Sequence, residues 1–277
     1  MEIWHRHGYN HLDNVESELD AIGVKYKKTP GFQGAYAITF EITESDPRWP
    51  QANELMRRKS AADFVWTEYT PEETLKAEWL KVGAIKHIGL AQPEANSGWR
   101  EVSFDGGCRQ CGVGARQKAP FRIKSEPRLK TLFATVGNGW PLFAVSQIVG
   151  AFKDAGVRGY ETWSVLLHKS GRPSACLQQM YIPTIAQPAL VEEAAESERF
   201  WKETCRVCGQ LRYTFYTRGM MPLRRSQLAS DVDLQLTDEW FGTARASRRE
   251  ILVSNRVARV IMALPATGIV LWPVRLL

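Results

Sequence analysis

No stretch of this 277-residue chain reaches 18 consecutive apolar residues, which argues against a membrane-spanning helix. The opening MEIWHRHGYNHLDNVESELD has no apolar core and soon turns acidic, so it does not read as a secretory signal. There is no G-x-S-x-G turn, no phosphate-binding loop and no H-E-x-x-H pair. Histidines number five, and His87 and His168 have no evident acid or nucleophile partner. No catalytic carboxylate pair can be assigned: Glu72 and Glu73 read as a helix start, Asp46 as part of a turn. The expectation is a cytoplasmic protein without enzymatic activity. In that reducing compartment, cysteine pairs bind metal or do transient redox work more often than they form disulfides.

What is present is ordinary in bulk and unusual in detail. Apolar residues make up 44% and charged residues 24%, enough for one substantial core or two modest ones. The net charge of +6, from 36 basic against 30 acidic residues, is compatible with an acidic protein partner or with nucleic acid. Ten tryptophans allow an aromatic contact surface as well as a core, with Trp49, Trp66, Trp79 and Trp99 as candidate anchors.

Along the chain, NHLDNVESELDAIGV (10–24) reads as a short helix stopping near Gly23, and YAITFEI (36–42) as a strand. SDPRWP (45–50) is a turn, followed by a helical turn or two in QANELMRRK. PEETLKAEWLKVG (71–83) has a helix signature: proline first, acids early, lysines late, glycine at the stop. Loops and short strands follow to residue 107. Between 168 and 204 lies a proline-rich linker, in which RPSACLQQMY reads as a strand with Cys176 in its core and ALVEEAAESERFWKE (189–203) as a helix.

Segments 131–165 and 239–274 match each other. Phe133 aligns with Phe241, Thr135 with Thr243, and Val145-Ser146 with Val253-Ser254; with one residue of slack, Gly159, Trp163 and Val165 align with Gly268, Trp272 and Val274. This is an internal repeat. In each copy a short strand runs into a serine suited to capping a helix, then an amphipathic helix, then a second strand. Such β–α–β pieces need a sheet to cover one helix face. The expected architecture is α+β: an N-terminal domain over 1–105, then a duplicated body with units 106–188 and 189–277.

Each unit begins with a cysteine knuckle, CRQCG at 108–112 and CRVCG at 205–209. Two cysteines separated by two residues can turn both sulfurs towards one tetrahedral ion, and the following glycine relaxes the turn. Cys108, Cys111, Cys205 and Cys208 are therefore candidate ligands of one structural Zn²⁺ in a zinc-ribbon-like element. Redox chemistry, iron–sulfur ligation and ordinary buried thiols are the alternatives. A redox pair belongs at the start of a helix, and GVGARQKAP after Cys111 is a poor one. Arg109, Arg116, Arg206 and Arg212 lie near the knuckles, to balance a ZnS₄ charge or as solvated surface. His5, His7 and His11 could form a metal cluster, with His7 and His11 sharing a helix face, but Gly8 and Tyr9 make that helix a poor one. RIKSEPRLK (122–130) and RASRRE (245–250) read as solvated faces that could also meet a phosphate backbone.

With these features assembled, the chain resembles the double-CXXCG motif family over roughly residues 30–277. The resemblance rests on Cys108-Arg-Gln-Cys111-Gly112, Cys205-Arg-Val-Cys208-Gly209 and the closing Val253-Ser254…Trp272-Pro273-Val274. It implies zinc held by the cysteine pairs and an immunity-type protein that neutralises a cognate toxin by stoichiometric occlusion. The long segment between the pairs is a departure from the family pattern. The alternative expectation is a zinc-ribbon nucleic-acid-binding or scaffold protein.

Overall fold

The computed structural model describes residues 1–277 except 11, 12, 32–34, 60, 61, 138–140, 196–199, 244, 246 and 266. It divides into two compact units, Met1–Thr70 with Tyr216–Gly219, and Pro71–Phe215 with Met220–Leu277. The first unit's N-terminal segment thus ends at Thr70, ahead of the expected boundary at 105, and the unit takes in Tyr216–Gly219 as well. Among the described residues, no helix is long and apolar enough to cross a membrane.

In the first unit, β1 (Glu2–Asn10), β2 (Lys27–Pro30), β3 (Tyr36–Thr43) and β4 (Ala62–Glu68) form an antiparallel sheet in the order β2-β3-β1-β4. Alternation sends Ile38, Phe40 and Ile42 inward from β3, and His5, His7 and Tyr9 inward from β1. Helices α1 (Glu16–Ile22) and α2 (Trp49–Lys59) supply Leu19, Leu55 and Met56 to the same core. Helix α1 stops where expected, at Gly23, whose φ of 77° gives the left-handed C-cap that glycine adopts without strain.

The second unit opens with α3 (Pro71–Lys76) and β5 (Trp79–Ala84). The helix expected over 71–83 is therefore only half a helix. Asn255 Nδ2 donates to the carbonyls of Leu75 and Ala77, both at 2.7 Å, which takes up acceptors at the helix end. WLKVGA then forms a central strand, with Trp79, Leu80, Lys81 and Val82 all buried. Pairing on both edges overrides the local helical signature. Short elements follow: α4 (Trp99–Ser103), β6 (Phe104–Asp105), β7 (Arg116–Gln117), β8 (Arg122–Ile123), β9 (Phe133–Ala134) and β10 (Leu142–Ala144). Next come α5 (Ser146–Asp154), β11 (Glu161–Leu167), β12 (Pro173–Tyr181), β13 (Lys202–Thr204), β14 (Leu211–Tyr213), β15 (Met221–Leu223) and β16 (Leu234–Leu236). The chain closes with β17 (Ile251–Ser254), α6 (Asn255–Met262) and β18 (Ile269–Leu276).

Two five-stranded sheets result, β8-β11-β12-β10-β9 and β15-β18-β5-β17-β16. They match strand for strand. The first pair in each is parallel and the other three are antiparallel. Each contains the repeat's strand–helix–strand, β10-α5-β11 or β17-α6-β18. The exception is the central strand, which follows β11 as β12 in the first sheet but comes from upstream as β5 in the second. The unit expected over 189–277 therefore lacks its own middle. Both helices and both sheets share one core, including Leu80, Phe133, Ile148, Phe152, Val257 and Ile261.

The two sheets interlock. Past its own sheet, the chain after β5 bridges β9's neighbour, with Ile88 N–H donating to Thr135 O at 2.9 Å. The chain after β12 does the same to β16, with Leu236 N–H donating to Thr184 O at 2.9 Å. The matched glycines are explained by the same reciprocity. Gly159 (φ 94°) lies against the Leu234 backbone of the second copy, and Gly268 (φ 77°) against Phe133 O of the first.

Other details differ from expectation. Phe133 lies in β9, whose topological counterpart is β16; Phe241 comes later and bridges Tyr213 and Arg248 instead. Neither repeat serine caps with its side chain: Val145 holds the cap position of α5, and Ser254 Oγ donates to Asp233 Oδ1 at 2.7 Å. The helix expected over 189–203 is a 3₁₀ turn at Glu192–Ala194 and then β13, with 196–199 outside the described residues. The Ala189 and Leu190 amides both donate to Glu239 Oε1 at 2.7 Å, which favours an extended start over a helix.

Candidate metal centre

Each knuckle sits at the tip of a small antiparallel hairpin, β6–β7 for the first and β13–β14 for the second. Their backbones fold alike. Cys108 N–H donates to Val113 O at 2.9 Å and Cys205 N–H to Gln210 O at 2.9 Å. Gly112 N–H donates to Cys108 O at 2.7 Å and Gly209 N–H to Cys205 O at 2.8 Å. Both glycines have positive φ, 79° and 70°, which turns the chain back into the hairpin. This is why CxxCG, and not CxxC alone, recurs.

The four sulfurs meet. Cys108 Sγ lies 3.9 Å from Cys205 Sγ, and Cys111 Sγ lies 3.6 Å from Cys208 Sγ. All four are within 4.8 Å of one another. Thiolates held at roughly 2.3 Å on a tetrahedral ion stand about 3.8 Å apart, so the donor set and its spacing fit one metal ion. Cys111 and Cys205 are buried, Cys108 is partly buried and Cys208 is exposed. Val113 and Trp240 pack against the cluster.

The surrounding amides and burial set the thiols apart. The amides of Cys208 and Val207 draw Cys205 down to about 6. The Cys111 amide likewise lowers Cys108. Burial pushes Cys111 up to about 12. The two first cysteines are thus predisposed to thiolate, and a cation must displace protons from the second pair. Neither knuckle begins a helix, the placement that activates a redox pair. Cys176 lies apart on β12, partly buried, its thiol donating to Glu126 Oε2 at 3.1 Å.

Of the four arginines expected to balance the cluster, Arg212 is buried and paired with Glu203 at 2.6 Å, while Arg109, Arg116 and Arg206 are exposed. A cavity of about 640 Å³ beside Cys108 is lined by Arg100, Arg109 and Arg245, with Glu101 as its carboxylate. Sequence reading missed Arg100 and Arg245 as neighbours of this site, because they lie outside both motifs. RASRRE is not a solvated face: Ser247 and Glu250 are buried, Arg248 covers the Phe215 ring at 4.4 Å, and Arg249 covers Trp240 at 5.1 Å. Among the candidate anchors, Trp79 is buried and Trp49, Trp66 and Trp99 are partly so; Trp201, on the second hairpin's approach, is 49% exposed. His5 and His7 do come together, on a strand and not a helix, and His11 lies outside the described residues.

Fold and site together define a mixed α+β protein with two similar sheets and a four-cysteine cluster able to chelate a metal ion. Searches of the chain against protein-family models and against curated proteins return no match.

Proposed function

We propose that the four cysteines hold one structural Zn²⁺ and that the protein is a zinc-ribbon-like binding scaffold, not an enzyme. The observation carrying this is the convergence of two hairpin tips, distant in sequence, onto a single four-sulfur cluster. A closed four-thiolate site has no open coordination position for substrate, so its role is to cross-link. The partner class this reading favours is a polyanion such as nucleic acid. Supporting it is the cavity at the first knuckle, where three guanidiniums outnumber one carboxylate.

Elemental mass spectrometry on the native chain tests the metal: one zinc per chain, lost in Cys205→Ser, is expected. Fluorescence anisotropy with single-stranded and duplex oligonucleotides tests the partner. Binding should weaken with salt by a slope of about −0.7 to −0.9 per phosphate contacted. Joint Arg109→Glu and Arg245→Glu substitution should weaken it at least tenfold while zinc is retained. Salt-independent or absent binding at low salt would overturn the nucleic-acid reading.

A second reading is neutralisation of a cognate toxin by stoichiometric occlusion, which resemblance to the double-CXXCG family implies. Supporting it are two apolar side chains offered by the second hairpin region, Trp201 at 49% and Val207 at 69% exposure. Trp201→Ala and Val207→Asp would then abolish protection of cells against the toxin while leaving zinc in place.

A further inference from the structure

We propose a second metal site, in the first unit, where His5 Nδ1, His7 Nε2 and the Asp63 carboxylate take one divalent transition-metal ion, with zinc the fitting case. It is independent of the cysteine cluster and of the reading built on it.

The strand register creates the grouping. His5 and His7 alternate onto the inward face of β1, and Asp63 of β4 stands opposite His7. Asp63 Oδ1 lies 3.1 Å from His7 Nε2 and 3.2 Å from His5 Nδ1. Asp63 Oδ2 lies 3.1 Å from His5 Nδ1. Donors held at about 2.0–2.2 Å on one ion stand roughly 3–3.5 Å apart, so both imidazoles approach the carboxylate at ligand spacing. The side chains are 7%, 0% and 2% exposed. Trp49 covers His5, with ring centroids 4.1 Å apart.

The outer hydrogen bonds point the same way. His5 Nε2 lies 3.0 Å from Glu44 Oε1, and Arg218 donates to the same carboxylate through Nε at 2.9 Å and Nη2 at 2.8 Å. The Glu44 carboxylate is thus placed to accept from His5 Nε2, which leaves His5 Nδ1 as the ring nitrogen that faces Asp63. The donor atoms of His5, His7 and Asp63 all lie within 4.8 Å of one another, close enough for one cation to take all three. A metal-bound imidazole that donates its other N–H to a carboxylate is the usual outer arrangement of a histidine ligand, and Glu44, steadied by Arg218, supplies it.

The test loads the full-length chain with Co²⁺ or Zn²⁺. Two ions per chain are expected, one with thiolate-to-cobalt charge-transfer absorption and one without. His7→Gln and Asp63→Asn should each remove only the second ion, with near-ultraviolet circular dichroism confirming the fold. Glu44→Gln should weaken that ion about 10–100-fold and leave the sulfur-bound ion unchanged. Should the His7 or Asp63 variants not fold, X-ray absorption of the zinc-loaded wild type decides, through a nitrogen and oxygen shell with imidazole scattering. A wild type saturating at one ion, with a pure sulfur shell, would overturn the proposal. Loss of the sulfur-bound ion alone would count against the cysteine reading and not against this one.

Discussion

Cys205 and Cys111 belong to the same cluster with opposite acid–base character. Without metal, donated amide hydrogens hold Cys205 near 6, so its ionisation stabilises the fold above the ordinary thiol range near 9, an effect lost as pH falls through about 6. Cys111 runs the other way: burial raises it to about 12, so the metal-free fold loses stability as pH climbs from about 9 towards 12. Zinc must expel protons from the thiols that are not yet thiolates. Apparent zinc affinity should therefore fall as pH falls, most steeply below about 6, where Cys205 also binds a proton. Competition against a chromogenic chelator between pH 5 and 8 measures this. At this scale the sequence was legible where one residue type has one job. Four cysteines in two CxxCG strings named the cluster, whereas a helical period pairs His7 with His11 and only the strand period of EIWHRHGYN puts His5 and His7 on one face.

Elements follow the same division. The strand–helix–strand cores β10-α5-β11 and β17-α6-β18 lie where the matched segments place them, because alternation and amphipathic spacing are local properties. β5 was not legible, since KAEWLKVG satisfies a helix locally and becomes a strand only through β17 and β18 on either side. Its environment is demanding. The Lys81 ammonium lies 4.8 Å from the centroid of the Trp272 ring, and that ring also fills the space over Gly83. The repeat glycines are an equally strict constraint. A Cβ at Gly268 would fall 2.7 Å from Thr131 Cβ and 2.8 Å from Phe133 O, and one at Gly159 would overlap Leu234 O. Gly268→Ala and Gly159→Ala should each destabilise the fold by about 2 kcal/mol or more, combining positive φ with a backbone clash. Phe152→Ala, in the shared core, should cost about 3–5 kcal/mol. Urea midpoints at constant zinc measure all three.

For the whole molecule, the cysteine cluster and the interlocked sheets each tie together segments that are distant in sequence. Removing zinc with a strong chelator should lower the thermal midpoint markedly, because structural zinc sites in small domains contribute on the order of 10 kcal/mol. Differential scanning calorimetry with and without chelator measures this. The loss should be greatest in the second unit, which contains all four cysteines.

The upstream position of β5 carries a consequence for biosynthesis. The first sheet has all five strands once the ribosome has passed Tyr181, but the second waits for β18, which ends at Leu276. Until β17 is complete at Ser254, β5 is a finished strand lacking both of its neighbours, and it lacks β18 for longer still. The nascent chain must shelter it, by transient pairing or by a chaperone, until β18 emerges.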